Sequence, residues 1–208
     1  MLTITTAASD TTLLTLDEIK SAVSVTDASQ NTALAELNAR VASALAQSCG
    51  ILAGGVSPPT FRVETITETF RDEAGARYLR MSRRPIVSVA SIVLDGTTLD
   101  AETYEIDARM GRIYRLVDDA TSYWSGTKAT VIYDAGWATV PSDLKLAASK
   151  LARMLWSEDG PDARSDPNLK RHRVEGVGER EYWVAPASDP LMSGEIRELL
   201  APYREMIV

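Results

Sequence analysis

An active site in this chain would have to be assembled from a few acid pairs, one glycine-rich turn, one histidine and one cysteine. Acid pairs such as Glu102 with Asp107, or Asp118 with Asp119, fall in polar, turn-like stretches. Two carboxylates divide into a general acid and a general base when burial or mutual repulsion lifts one pKa, and an exposed turn supplies neither. Gly176-Val177-Gly178-Glu179 has two glycines but lacks the Lys-Ser/Thr pair of a phosphate-cradling loop and the strand and helix that should flank it. The single histidine, His172, sits in Lys170-Arg171-His172-Arg173. Three fixed positive charges disfavour a fourth there, and a hydrolytic base needs a carboxylate partner and a nearby Ser or Cys nucleophile. Cys49 has no second cysteine to bridge, and one cysteine with one histidine cannot supply the usual zinc ligand set. The residues therefore predict no enzyme, with no catalytic residue, no cofactor and no metal.

The charge balance limits the partners. Lys and Arg number 22 against 29 Asp and Glu, a net charge of −7 that is spread evenly: 2 bases face 5 acids in residues 1–59, 10 face 12 in 60–138, and 10 face 12 in 139–208. Tight binding to a nucleic-acid backbone draws its affinity from cations that displace counterions, so no segment predicts saturable DNA binding. A wall past which DNA must slide without sticking is compatible with this composition. The basic cluster at Lys170, Arg171, His172 and Arg173 is offset by Asp162, Asp166 and Glu175, and Trp124, Trp137, Trp156 and Trp183 are dispersed rather than interleaved with bases. That is core or interface usage, unlike a stacking platform for single strands. Apolar runs such as the one from Pro85 to Leu94 fall far short of the roughly 20 residues of a membrane helix. The first residues, MLTITTAASD, lack the basic and apolar regions of a signal peptide, so a soluble, unexported protein is expected.

The elements that must position these residues come in a clear order. With 208 residues and 45% hydrophobic content, the chain can bury about 70% of the surface its unfolded form exposes. Thr15-Leu16-Asp17-Glu18 is a capping box for a short first helix ending near Val23, and Asp27-Ala28-Ser29-Gln30 opens a longer one with Leu34, Leu37, Val41 and Leu45 at helical spacing. Gly50 supplies its left-handed stop, and Ala35, Ala39, Ala42 and Ala46 form a face that a neighbouring helix can approach. Past Gly54-Gly55 and Pro58-Pro59 the period becomes that of strands. Phe61, Val63 and Thr65 alternate, a β-branched run from Ile86 reaches Asp95-Gly96, and further strands are expected at Tyr104 to Asp107, Arg112 to Leu116 and Ala129 to Tyr133. Val140-Pro141-Ser142-Asp143 starts a helix with the stripe Leu144, Ala147, Ala148, Leu151, Leu155 and Trp156. Ser157 to Ser188 shows no period, and a last helix presents Ile196, Leu199, Leu200 and Tyr203, with Pro202 in its final turn. The expected fold class is α+β: an antiparallel helical bundle, made of two amino-terminal helices plus helices near 142–157 and 190–205, with a β-rich insertion of about six strands in the middle third. The expected division is a helical part at 14–57, a β-rich insert at 60–138, a core helix at 139–157, a flexible assembly loop at 158–188 and a docking helix at 189–208.

In this order the chain resembles the head-tail connector (adaptor) family of tailed phages and gene-transfer particles. The resemblance is carried by Leu16-Asp17-Glu18-Ile19-Lys20, by Tyr78-Leu79-Arg80-Met81 leading into Arg84-Pro85-Ile86-Val87-Ser88-Val89, and by Tyr104-Glu105-Ile106-Asp107. Val131-Ile132-Tyr133-Asp134-Ala135-Gly136-Trp137 with Val140-Pro141 is the most telling stretch, and Ile196-Arg197-Glu198-Leu199-Leu200-Ala201-Pro202-Tyr203-Arg204 closes the match. The resemblance implies a structural subunit that forms a ring, twelvefold on the portal protein, joins a DNA-filled head to the tail and lines the exit channel. Its implied partners are further copies of itself, the portal protein, a stopper or tail-terminator protein, and double-stranded DNA only in passage, with no membrane. Its implied place is the virion neck, after a period in the bacterial host cytoplasm. Ile196, Leu199, Leu200, Tyr203 and Arg204 are then the expected portal-binding residues, and Lys170, Arg171, His172 and Arg173 the expected channel or assembly loop. A stopper-like neck protein is the second expectation and a small hydrolase the third.

Overall fold

The computed structural model describes residues 1–51, 53, 58–159, 169–173, 179–182 and 193–204. The chain divides into two units, one formed by Met1–Thr11 with Gly50–Val140 and the other by Thr12–Cys49 with Pro141–Val208. The protein is α+β, with four α-helices and antiparallel sheets among the described residues.

In the β unit the strands are β1 (Leu2–Thr6), β2 (Glu64–Arg71), β3 (Leu79–Arg80), β4 (Ile86–Leu94), β5 (Thr97–Thr98), β6 (Tyr104–Asp107), β7 (Arg112–Val117), β8 (Ala120–Ser122) and β9 (Lys128–Ala135). One five-stranded sheet runs in the order β1-β2-β9-β4-β5, and a second is built around β7, which pairs with β3, β6 and β8. Asp95 and Gly96 both take positive φ, 48° and 87°, the backbone that a tight β4–β5 hairpin requires and that Asp-Gly tolerates. Ile66, Ile92, Val131 and Tyr133 of the first sheet and Leu79, Ile113 and Trp124 around the second share one buried core.

Two expectations for this unit are corrected. The expected alternation Phe61, Val63, Thr65 has the opposite phase: β2 turns Glu64, Ile66 and Glu68 inward. Two acids on the buried face disguised it, because polar residues normally mark the solvent side of a strand. The amino-terminal segment, for which no strand was expected, is β1, which pairs antiparallel with β2 and sets Leu2 opposite Glu68 and Ile4 opposite Ile66. The β unit is thus larger than the middle third.

The helical unit begins at α1 (Leu16–Val23). Glu18 N–H donates to Thr15 Oγ1 at 3.2 Å while Thr15 N–H donates to the Glu18 carboxylate at 2.8 Å, which satisfies two helix-end amides reciprocally. Asp27 caps a 3₁₀ turn, Ala28–Gln30, and that turn rather than an α-helix leads into α2 (Asn31–Ser48). Leu34, Leu37, Val41 and Leu45 are buried as their spacing predicts. Of the alanine face, Ala42 and Ala46 join the core while Ala35 and Ala39 are exposed. The longer α3 (Ser142–Asp159) packs against α1, α2 and α4 (Gly194–Leu200) and buries Leu144, Ala147, Ala148, Leu151 and Leu155.

The stretch read as lacking regular structure holds two strands, β10 (Leu169–Arg173) and β11 (Glu179–Tyr182), paired antiparallel. Their register sets Arg171 opposite Glu181 and Arg173 opposite Glu179. Among the described residues no helix is long and apolar enough to cross a membrane.

Candidate functional site

The residue pairs considered for catalysis line neither of the two concave surfaces described below. Glu102 is exposed in a 3₁₀ turn, and Asp107, at the end of β6, accepts a 3.0 Å hydrogen bond from Met110 N–H. Asp118 and Asp119 are both exposed, at the β7–β8 turn, with φ of 50° and 61°. Cys49 is buried in the helical unit. Among the described residues no group of three His, Cys, Asp or Glu side chains is placed to share a metal ion. Gly176 and Gly178 lie outside the described residues, as do the side chains of Lys170, Arg171, His172 and Arg173, whose backbone forms part of β10.

The ionisable groups that are buried were not singled out from the sequence. Arg83 meets Glu64 at 3.1 Å and donates to Thr60 O at 2.8 Å. Glu68 accepts hydrogen bonds from the Ser82 hydroxyl, from Ser82 N–H at 3.0 Å and from Tyr133 Oη at 2.9 Å. Burial pushes the Glu64 carboxyl above its ordinary value, with Arg83 opposing, and burial followed by the Glu68 charge pushes the Tyr133 phenol up. Each of these polar groups already has a protein partner, so the network ties β2 and β9 to the segment before β4. Its chemistry is structural. The available signal was the alternation itself, since two acids flank Ile66 at a spacing of two.

The carboxy-terminal candidates divide. Ile196 and Leu200 are 1% and 0% exposed, sealed within the helical unit, so the expectation that they grip another protein is corrected. An apolar pair four residues apart on a short helix was enough to build its own core contact. Leu199 and Tyr203 are half-buried and Arg204 is exposed. Tyr203 Oη donates to Asp143 at 2.5 Å, and burial together with that carboxylate pushes its phenol up. The same unit has a shallow groove of about 590 Å³ between α1 and α3, bordered by the 2.6 Å Glu18–Lys145 ion pair and by Leu146, which is 47% exposed.

A second concave surface lies in the β unit. Arg77, Tyr78, Arg112, Tyr114 and Tyr123 line a cleft of about 390 Å³. The Arg112 guanidinium stands 4.5 Å from the centre of the Tyr78 ring and donates to Tyr114, and the two rings meet at 5.8 Å with a 59° tilt. The sequence spaces these residues over three segments, and the pairing of β7 with β3 on one side and β8 on the other brings them together.

No family model matches the sequence, and no curated protein matches it. Comparison with solved structures gives a different result. The fold is similar to that of gene transfer agent neck chains. One such structure, the neck of an empty gene transfer agent (GTA) particle computed with C6 symmetry, matches with a TM-score of 0.59 and 16% identity, over 100% of this chain and 97% of that one. A chain from the virion of a native GTA particle gives the same values. The neck of a native GTA particle computed with C12 symmetry matches with a TM-score of 0.55, 19% identity and the same coverage. The expected likeness to phage and GTA neck proteins thus holds at the level of fold. The match covers the whole chain and so includes both units.

Proposed function

We propose that this chain is a structural head-tail connector (adaptor) subunit, which forms a twelvefold ring beneath the portal, joins the DNA-filled head to the tail and lines the DNA exit channel. The observation that carries this is the likeness to GTA neck chains over the full length of the protein, including one neck computed with C12 symmetry. The even acidic balance supports passage of DNA without adhesion. We read the four helices as one antiparallel bundle through which the ring is built, supported by the packing of α3 against the other three. A mainly β barrel without leading helices would favour a stopper-like subunit, and the presence of α1 and α2 weighs against it.

Docking onto the portal falls to the outer side of the carboxy-terminal segment, where Leu199 and Tyr203 are half-buried and Arg204 is exposed, while Ile196 and Leu200 hold the segment within the helical unit. Two large side chains buried at about 1.5–3 kcal/mol each fall short of most of the about 4–15 kcal/mol that association costs. One subunit therefore binds its portal weakly, and a ring of linked contacts gives stable attachment. Further partners are a stopper or tail-terminator protein on the lower face. The test is electron microscopy of particles made without this protein. DNA-filled heads that leak and carry no tails are expected; normal tailed particles overturn the proposal.

A further inference from the structure

We infer that the Arg77/Arg112 cleft receives the Val117-Asp118-Asp119 turn of a second copy of this chain, joining neighbouring subunits head to tail. This rests on the ring reading above and supplies a residue-level contact for it.

The cleft has the make-up of a protein interface. Tyrosine and arginine anchor interfaces because they bury a large, stiff surface while keeping directional donors. Tyr123 is 63% exposed, and Arg77 is also exposed. Arg112 is fixed before any partner arrives, by the Tyr78 ring beneath it and by Tyr114 beside it. These contacts occupy one face and part of one edge of a guanidinium that has five N–H donors, and such a fork matches a carboxylate. Among the described residues neither Arg77 nor Arg112 forms a salt bridge. A positioned cation beside exposed aromatic surface calls for a ligand that is acidic and partly apolar.

The chain carries such a ligand. At the end of β7, Val117 is 52% exposed, and Asp118 and Asp119 follow it. Both aspartates take left-handed φ in a two-residue turn, are exposed, and form no salt bridge among the described residues. Val117 suits the Tyr78 and Tyr123 surfaces, and the two carboxylates suit the two guanidinium groups.

A subunit cannot satisfy its own cleft this way. β7 runs extended from Arg112 to the turn, so at about 3.3 Å per residue Asp118 is carried about 20 Å from Arg112. Complementary surfaces at different places on one molecule make a heterologous contact, which closes into a ring or continues as a filament.

Charge-swapped chains test this. In one, Arg77→Glu and Arg112→Glu reverse the cleft; in the other, Asp118→Lys and Asp119→Lys reverse the turn. Sedimentation velocity from micromolar to millimolar concentration, at low salt, reads association, and circular dichroism reports whether each variant folds. The wild type is expected to associate weakly, and less so in salt. Each variant alone is expected to lose at least about tenfold in association constant, and an equimolar mixture to regain it with both chains in equal amounts, because each cleft then meets a turn of opposite sign. A wild type that stays monomeric at millimolar concentration, that stops at a dimer, or whose association survives in either variant overturns the contact. So does a mixture that regains nothing. In those cases the ring reading itself still stands or falls on the particle images. Duplex DNA retained by the wild type and released by the cleft variant, with self-association unchanged, assigns the cleft to phosphate and also overturns the contact.

Discussion

Arg83 and Glu64 meet in the β unit with side chains 6% and 1% exposed, a setting in which each charge is tolerable only because of the other. Removing the arginine leaves a buried carboxylate. Arg83→Ala is expected to cost about 3–5 kcal/mol at neutral pH, read by urea unfolding. The pH dependence has a defined sign. Burial raises the Glu64 carboxyl above 4.5, so its contribution is most favourable below that value and fades as pH rises through the folded pKa. Without Arg83 the carboxyl rises further, and the deficit of the variant should shrink as pH falls toward 4.5. A deficit constant with pH would show that Arg83 acts by packing alone. Glu18 runs the other way: its hydrogen bond from Lys145, with that of Thr15 N–H, holds its carboxyl below 4.5, so its contribution is present above that value and lost as pH falls through the folded pKa. At this scale the sequence was legible where chemistry is local. The exposed acid pairs could be set aside from their turn residues, whereas the pairing of Arg83 with Glu64, nineteen residues apart, has no local trace.

Elements were readable in proportion to how locally they are specified. Thr15 and Glu18 cap α1 from within one turn, so α1 could be placed from four letters. β2 needed knowledge of what its inward face meets. Glu64 and Glu68 are buried only because Arg83, Ser82 and Tyr133 receive them, and the apparent phase of the strand therefore inverted. β1 is Thr-rich, and its partner lies some sixty residues on, which no periodicity reveals. Gly136, in the Asp134-Ala135-Gly136-Trp137 stretch that carried the family resemblance, now has a physical reason. Its φ is 126°, and a Cβ there would lie 2.4 Å from Arg62 O, beside the bridge that pairs Arg62 with Trp137. Backbone conformation and space both exclude a side chain, so Gly136→Ala is expected to destabilise the β unit by about 3 kcal/mol or more. Thermal unfolding followed by circular dichroism checks it, and a change within error would mean that the β9 end relaxes freely.

For the whole molecule, both units are built from chain segments that are distant in sequence: the β unit recruits Met1–Thr11, and the helical unit is completed by the segment from Pro141 onward. An order of helices and strands can be read from a sequence, but the burial of a given apolar residue cannot. Ile196, Leu199, Leu200 and Tyr203 look alike as a helical stripe, yet the first and third are core while the second and fourth are only half-covered. That split makes the docking proposal separable from folding. Leu200→Ala should remove a fully buried side chain and cost about 2–5 kcal/mol of stability, with attachment impaired only as far as folding is. Leu199→Asp with Arg204→Glu should lower the unfolding midpoint of the purified chain less than Leu200→Ala does, since Leu199 is only half-covered and Arg204 is exposed. In particles lacking the native protein, that double variant should fail to restore tails while accumulating as a folded chain. If it restores tails as well as the wild type does, portal docking is carried by another surface, and the carboxy-terminal helix is a strut of the helical unit alone.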